Sequence, residues 1–517
     1  MGHRRTVLIG AIIALLVLSF SAAAAESEIT HNYEANEEYA GYRTIEVTTP
    51  FASYVFSEDG GALRSLFLTF APYGASQMEL VAGTITQVDT LTRQYVKNVG
   101  YPFSLSADGL EDGEYELQEP VKDEDGTLHV TFVGSIGGAA VTKTYTFYTD
   151  RIYIVGVTIS IDPGTSGITE LSLVMADYTP SDEDPERYYL YDGQRSQSLL
   201  DAGSIGSFDG VGLMDKAVVF FLQPTAGTSV LPYIRTSDTV SYGVTLSLNE
   251  STAFDFSVYG GRRRFILMED AGLAELDQQG VVSQLMTWVI RFLNWLYRVT
   301  GNYGWAIILF TVLLRVVMYP LMRKQYHSMA KMQRMQPKMK QIQERFKDEK
   351  QLQQQKIMEL YKKEGVNPMS GCLPMLIQLP IIIIIWRGLL YTSELIHISP
   401  SFLWIPDLSL ADPTFVLVIL TTAIMLVQQW LMSPSTSRDG AKGQKYIGFL
   451  MPIMLAFFLW RFPAGLWLYY LLTTATQVGQ QMIINREMAN ADRKHAMAGV
   501  GTLDASDVGE SDGGTEE

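Results

Sequence analysis

This 517-residue chain is almost without cysteine: Cys372 is the single one, which excludes an internal disulfide and a thiolate metal cluster. Histidine is scarce too, and His3, His31, His129, His327, His397 and His495 are scattered, so no zinc site can be read from their spacing. The chain has no glycine-rich phosphate loop, no paired carboxylates and no nucleophile beside a base. It therefore lacks a recognisable catalytic set and points to no cofactor and no enzyme activity. Basic residues are in deficit overall: the net charge is −16, and most of it comes from the first half. Nucleic-acid binding by that half is excluded on charge, and no sequence-specific nucleic-acid contact is expected. Long apolar runs are missing from about residue 25 to 275, yet they dominate residues 281–484. Two such unlike halves predict one soluble domain joined to one membrane domain.

The N-terminal end carries His3-Arg4-Arg5 ahead of an apolar run over residues 7–25. Charge before that run and none after it places the N-terminus in the cytoplasm and the next segment outside. The run ends in Ser21-Ala22-Ala23-Ala24-Ala25-Glu26, so residues 1–25 read as either an anchor or a cleaved signal, and both would export the polar half. Residues 26–275 carry strand patterns. Residues 127–133 alternate after Asp125-Gly126, a hairpin signal. Residues 140–148 and 151–161 read as a second hairpin across Thr149-Asp150. Residues 242–248 and 253–259 alternate around the turn-forming Asn249-Glu250-Ser251. Many short strands with few helical stretches predict a β-sandwich. The acidic run over residues 181–186 reads as a solvated loop, with a calcium site as the alternative.

At residue 281 the period changes. Gln284, Thr287, Arg291, Asn294 and Arg298 share one helical stripe, and Leu285, Trp288, Val289, Phe292, Leu293 and Leu296 fall opposite. With Trp288, Trp295 and Tyr297 suited to the headgroup boundary, residues 281–300 are expected to form an amphipathic helix in the membrane surface. Packing on the β-domain is the alternative. Residues 305–321 are just long enough to span a bilayer. The polar stretch 322–365 then carries 12 Lys or Arg against five Asp or Glu, an excess that makes it cytoplasmic. Its methionines at 329, 332, 335 and 339 keep a three-to-four spacing, and a break near 347–350 predicts a helical hairpin. These methionines read equally as adaptable contacts for varied apolar segments or as packing inside the hairpin. The basic hairpin also suits anionic membrane lipids or ribosomal RNA.

Four more apolar spans come after it, at 373–391, 415–431, 446–460 and 466–484, giving five in residues 301–485. Pro380 should kink the second of the five. The last carries Tyr469, Tyr470, Thr473, Thr474, Thr476, Gln477, Gln480 and Gln481, which implies a polar interior face. Residues 433–445 read as a cytoplasmic loop. Residues 486–517 form a cytoplasmic tail, acidic and expected to be disordered from Gly499 onward. In the first span sits a lone charge, Arg315, with Thr311 one turn earlier on the same face. Such a residue costs roughly 2.5–3.5 kcal/mol at the centre of a membrane helix. Two readings are open: it snorkels to the cytoplasmic headgroups, or it faces a water-filled groove.

The motifs Gly301-Asn302-Tyr303-Gly304-Trp305, Arg315 with Met318-Tyr319-Pro320-Leu321, and residues 326–332 occur in one order with Gln336-Pro337-Lys338 and Asn367-Pro368. Gly371-Cys372-Leu373-Pro374, Gln378-Leu379-Pro380 and Phe462-Pro463-Ala464-Gly465-Leu466 with Tyr469-Tyr470 complete the series. It resembles the YidC/Oxa/Alb family of membrane protein insertases, in its Gram-negative YidC form. The resemblance implies a polytopic α-helical membrane protein of the bacterial inner membrane, with a five-span insertase core, an N-terminal span and a large periplasmic β-sandwich domain. It implies a hydrophilic membrane groove around Arg315, with Thr311, Gln378, Tyr469, Tyr470 and Thr473 as its wall and Pro380, Pro463 and Gly465 as structural residues. The hairpin, through Met329, Met332, Arg334, Met335 and Lys338, would meet nascent membrane proteins, and the ribosome or the Sec translocon. No nucleotide is required. The acidic tail departs from the basic tails of some members, so ribosome contact is expected through the other basic loops. A small-solute transporter and a membrane-tethered binding protein are the rival classes, but internal repeats and a second polar substrate site are not apparent.

Overall fold

A computed structural model describes residues 29–35, 42–72, 75, 77–81, 84–87, 101–107, 110–178, 186–191, 194–196, 208–214, 216–236, 240–248, 252–277, 280–363, 365, 373–432 and 442–503. The N-terminal segment 1–25, the acidic stretch 181–185 and the last residues, 504–517, lie outside them. The chain divides into two compact units, one of Ala22–Ile290 with Leu390–Pro400, the other of Arg291–Leu389 with Ser401–Glu517 and Met1–Ser21.

The first unit is β-rich. Among the described residues its strands form antiparallel sheets of six, ten and five strands. The six-stranded sheet is a meander in chain order, from Thr30–Ala35 to Thr84–Gln87. The ten-stranded sheet is built around Leu128–Ile136, Ala139–Phe147, Ile154–Asp162 and Thr252–Arg262, paired in that order. The five-stranded sheet pairs Val240–Ser247 with Glu170–Tyr178 and Leu231–Thr236. Alternation sets which side chains point inward. In Ala139–Phe147, Val141, Lys143, Tyr145 and Phe147 are buried while the threonines between them are half-buried. The inner faces meet through aromatic pairs, Phe56 with Tyr145 at 4.2 Å and Tyr54 with Phe147 at 5.1 Å between ring centroids. Each such ring, once fully buried, contributes on the order of 1.5–3 kcal/mol.

Lys143 obeys the alternation although it is charged, and its side chain is 0% exposed. Its Nζ donates to Gly60 O at 2.6 Å, Phe103 O at 2.8 Å and Asp112 Oδ2 at 2.6 Å, so all three ammonium protons are used. Burial lowers the pKa of Lys143, and the Asp112 carboxylate opposes that shift. The strands expected at 242–248 and 253–259 are both present, but they are not partners. Val240–Ser247 lies in the five-stranded sheet and Thr252–Arg262 in the ten-stranded one, so the connection crosses between sheets. Alternation reports which face is buried, not which neighbour a strand takes.

Residues 390–400, expected within the membrane core, belong instead to the β-rich unit. The His397 ring lies 4.3 Å from that of Phe70, and Glu394, fully buried, sits 3.5 Å from Arg264 Nε. Helix α1, Phe265–Asp270, closes the unit. Helix α2, Val281–Thr300, runs from this unit into the second. It departs from the expected two-stripe pattern. Thr287, assigned to the polar stripe, is buried and donates to Ser283 O at 2.9 Å. Leu285, Trp288, Phe292, Trp295 and Val299 form an exposed apolar stripe, while Met286, Ile290, Leu293 and Leu296 face protein. Tyr297, expected at the headgroup boundary, stacks on Tyr303 at 4.2 Å.

The second unit is helical: α3 Tyr303–Arg345, α4 Lys350–Lys363, α5 Leu373–Tyr391, α6 Ser393–His397 (on the excursion into the β-rich unit), α7 Val416–Met432, α8 Lys442–Leu459 and α9 Ala464–Leu503. Its start is encoded locally. Gly301 takes φ +67°, the left-handed region that glycine enters freely, and Asn302 caps α3 by accepting from Gly304 N at 2.8 Å. A side chain at Gly304 would collide with the ring of Phe402. Of α3, residues Tyr303–Gln325 are long and apolar enough to cross a membrane, and Gln378–Tyr391, Val416–Leu431 and Gly448–Leu459 are shorter apolar helices. The hairpin breaks between Arg345 and Lys350. Lys442 and Lys445, expected in a loop, begin α8. Helix α9 continues to Leu503, past Gly499 where disorder is expected, because residues 485–498 are rich in Ala, Met, Glu, Arg and Lys, which favour helix.

The Lys143 cluster gives a stability test. Asp112→Ala leaves a buried ammonium with one acceptor fewer and should cost about 3–5 kcal/mol, whereas Asp112→Leu combined with Lys143→Met should cost far less. Urea unfolding of the full chain, followed by near-UV circular dichroism, measures both.

Candidate functional site

Helix α3 delivers Arg315 to the interior of the helical unit, where the residue is only 6% exposed. Its Nη2 donates to Gln378 Oε1 of α5 at 3.1 Å. Gln378 Nε2 in turn donates to the Tyr469 hydroxyl of α9 at 3.0 Å. Two turns further along α9, the Gln477 amide lies 3.3 Å from both Nη1 and Nη2 of Arg315. With its oxygen turned to the guanidinium, it accepts from both. Gln428 of α7 meets the same Gln477 amide at 3.2 Å. One charge therefore engages side chains from α5 and α9 directly. All of these named partners are neutral, so the positive charge is hydrogen-bonded but not cancelled by them.

Each helix supplies its member for a local reason. In α5, Gln378 lies two positions before Pro380, whose missing N–H leaves the carbonyl four residues earlier without its helical donor. Tyr469 and Tyr470 come after the turn at Pro463 and Gly465, which fixes where α9 starts. That turn is tied to the loop before α7: Ala464 N donates to Leu410 O at 2.6 Å, and Gly465 N to Leu408 O at 2.9 Å. A side chain at Gly465 would press on Ile307 Cδ1 at 3.1 Å and on the Leu408 carbonyl at 3.2 Å.

Arg315, Gln378 and Tyr469 are thus gathered into one chain of hydrogen bonds. Thr311 is buried one turn from Arg315, but its hydroxyl donates to Ile307 O of its own helix at 2.7 Å. Thr473 is buried one turn beyond Tyr469. Tyr470 is half-buried, and its carbonyl accepts from Thr474 Oγ1 at 2.8 Å. Gln477 was legible only as one amide on a polar helix face, and Gln428 lies near the end of an apolar span. Their place beside the arginine depends on how α7 and α9 pack, which no spacing within one helix reveals. Further buried amides extend the polar interior along α3 and α9, at Gln325 and Gln481.

Of the hairpin residues, Met335 is buried, Met332 half-buried and Lys338 exposed. Met339 Sδ accepts from Tyr361 OH of α4 at 3.4 Å. Met335 and Met339 therefore serve packing rather than an open contact surface. The side chains of Met329 and Arg334 lie outside the description. Among the described residues, no group of three or more His, Cys, Asp or Glu side chains is placed to hold a metal ion.

Residues 295–492, which include this whole arrangement, match the family model described as 60Kd inner membrane protein. Over 480 residues the chain is 30% identical to the membrane protein insertase YidC of Geobacter sp. strain M21, covering 86% of each chain. It is 33% identical over 408 residues to the YidC of Francisella philomiragia, covering 72% of this chain and 73% of that one. Against the YidC of Citrifermentans bemidjiense it is 38% identical over 255 residues, 49% of this chain and 47% of that one. A crystal structure of an active YidC insertase with its first transmembrane domain resolved matches at 22% identity and a TM-score of 0.49, covering 93% of this chain and 99% of that one.

A double-mutant cycle tests whether Arg315 and Gln378 act as a unit. Arg315→Ala, Gln378→Ala and the double variant, unfolded thermally in detergent, should show a coupling of about 1.5–3 kcal/mol, the range for hydrogen bonds to a charged group. Additive losses would separate the two residues.

Proposed function

The chain belongs to the YidC family of membrane protein insertases, and we propose that it inserts newly made inner-membrane proteins and helps them fold, through a hydrophilic groove centred on Arg315. The single observation that carries this reading is a buried arginine held by the neutral groups Gln378, Tyr469 and Gln477. In a medium of low dielectric a guanidinium attracts an anion more strongly than it does in water.

In this mechanism five spans, provided by α3, α5, α7, α8 and α9, enclose a groove open to the cytoplasm and to lipid and closed toward the periplasm. A client enters with its short extracellular segment still polar. Arg315 attracts acidic and polar groups of that segment part-way into the bilayer. The amides and hydroxyls of Gln378, Tyr469 and Gln477, with water, replace part of the hydration those groups lose. Burial of the client's apolar helix in lipid then completes the transfer, at about 0.8 kcal/mol per methylene group, so no nucleotide is consumed. The basic hairpin α3–α4 receives the nascent chain and touches the ribosome or the Sec translocon. The β-rich unit is periplasmic, given a cytoplasmic N-terminus and one preceding span.

Complementation of a YidC-depleted Gram-negative cell tests the proposal, with insertion of a short-loop client followed by protease protection. Wild type and Arg315→Lys should insert the client, and Arg315→Ala should not. Normal insertion by Arg315→Ala would remove the electrostatic role, and failure of wild type would remove the insertase reading.

A further inference from the structure

We propose that the cytoplasmic exit of α3 is a binding site for an anionic phospholipid, which lies with its phosphate among Arg323, Lys324 and Lys331 and its acyl chains along the exposed apolar stripe about two to three turns above Arg323. An open pocket of about 610 Å³ is lined there by Tyr319, Arg323, Lys324, His327 and Lys331, with Gly365 from the end of the hairpin on its wall. Three cationic side chains and a histidine thus converge just where the apolar stretch Tyr303–Gln325 gives way to polar sequence. Glu487 of α9 lies 3.4 Å from Arg323 Nη2 and 4.0 Å from His327 Nε2, and this half-exposed carboxylate offsets only part of the positive charge.

Helix geometry separates this site from the Arg315 chain. At about 100° per residue, the pocket residues centre about 130° around α3 from Arg315. Val312, Leu313, Val316 and Val317 centre on the same direction. All four are exposed, Val317 to 74%. One face of α3 therefore presents apolar side chains at membrane depth and cations at its foot, the order of parts in a phospholipid. Tyr319, 41% exposed between the two, suits the glycerol level. The charge selects the class of lipid: a zwitterionic headgroup brings its own cation into the pocket, whereas phosphatidylglycerol brings only a phosphate. Basic pockets at the cytoplasmic ends of membrane helices bind anionic headgroups by this attraction.

The full chain, delipidated in mild detergent, would be titrated with phosphatidylglycerol, with phosphatidylcholine of the same acyl chains, and with glycerol 3-phosphate, and bound lipid read by native mass spectrometry. Phosphatidylglycerol should be retained in preference to both. Lys324→Gln combined with Lys331→Gln should weaken its binding roughly thirtyfold. Lys324→Arg with Lys331→Arg should preserve it, as should Lys350→Gln with Lys356→Gln, which removes equal charge from α4. Equal retention of phosphatidylcholine, or unchanged binding by the Gln pair, would overturn the proposal. Glycerol 3-phosphate binding as tightly as the lipid would also overturn it, by reducing the site to one for free phosphate. The wild-type comparison stands even where a variant fails to fold.

Discussion

A guanidinium held inside a bundle of apolar helices constrains everything around it. Arg315 cannot shed its proton, so the surrounding helices must supply acceptors at fixed positions or let in water. Gln378 and Gln477 supply them, and Gln378 is itself bonded onward to Tyr469. The requirement propagates outward. For Tyr469 to reach Gln378, α9 must start at the correct height, and that height is set by the Pro463–Gly465 turn bonded to the loop at Leu408 and Leu410. A charge in the middle of the unit thus depends on backbone hydrogen bonds at the start of α9.

The two units solve the same problem with opposite chemistry. In the β-rich unit, Lys143 is fully buried and three acceptors, one of them a carboxylate, use up its donors. In the helical unit, the named partners of Arg315 are neutral amides. An ammonium saturated by a carboxylate and two carbonyls, and a guanidinium seated among side-chain amides, are two ways to hold a buried cation by hydrogen bonds.

Much of this was legible in the sequence, and the failures have a common cause. Periodicity within one element located the alternating strand that contains Tyr145, the helix carrying Arg315 and the hairpin break near Lys350. It also marked Gln378 and Tyr469 as polar groups at membrane depth. Periodicity could not show which elements become neighbours. The strands around Asn249 belong to different sheets, residues 390–400 pack with the β-rich unit, and Gln477 meets Arg315 only because α9 lies along α3. Thr287 fits a polar stripe on paper but is buried, because α2 has a third, protein-facing stripe that a two-face description omits. The helical continuation to Leu503 was hidden by weighing charge and glycine content over local helix propensity.

The Lys143 staple also orders events in time. Its acceptors, at Gly60, Phe103 and Asp112, all precede it in the chain. Synthesis runs from the N-terminus, so every acceptor exists before the ammonium does. Until residue 143 is made, the carbonyls of Gly60 and Phe103 and the Asp112 carboxylate lack the cation that joins them, and the strand carrying Lys143 completes the cluster.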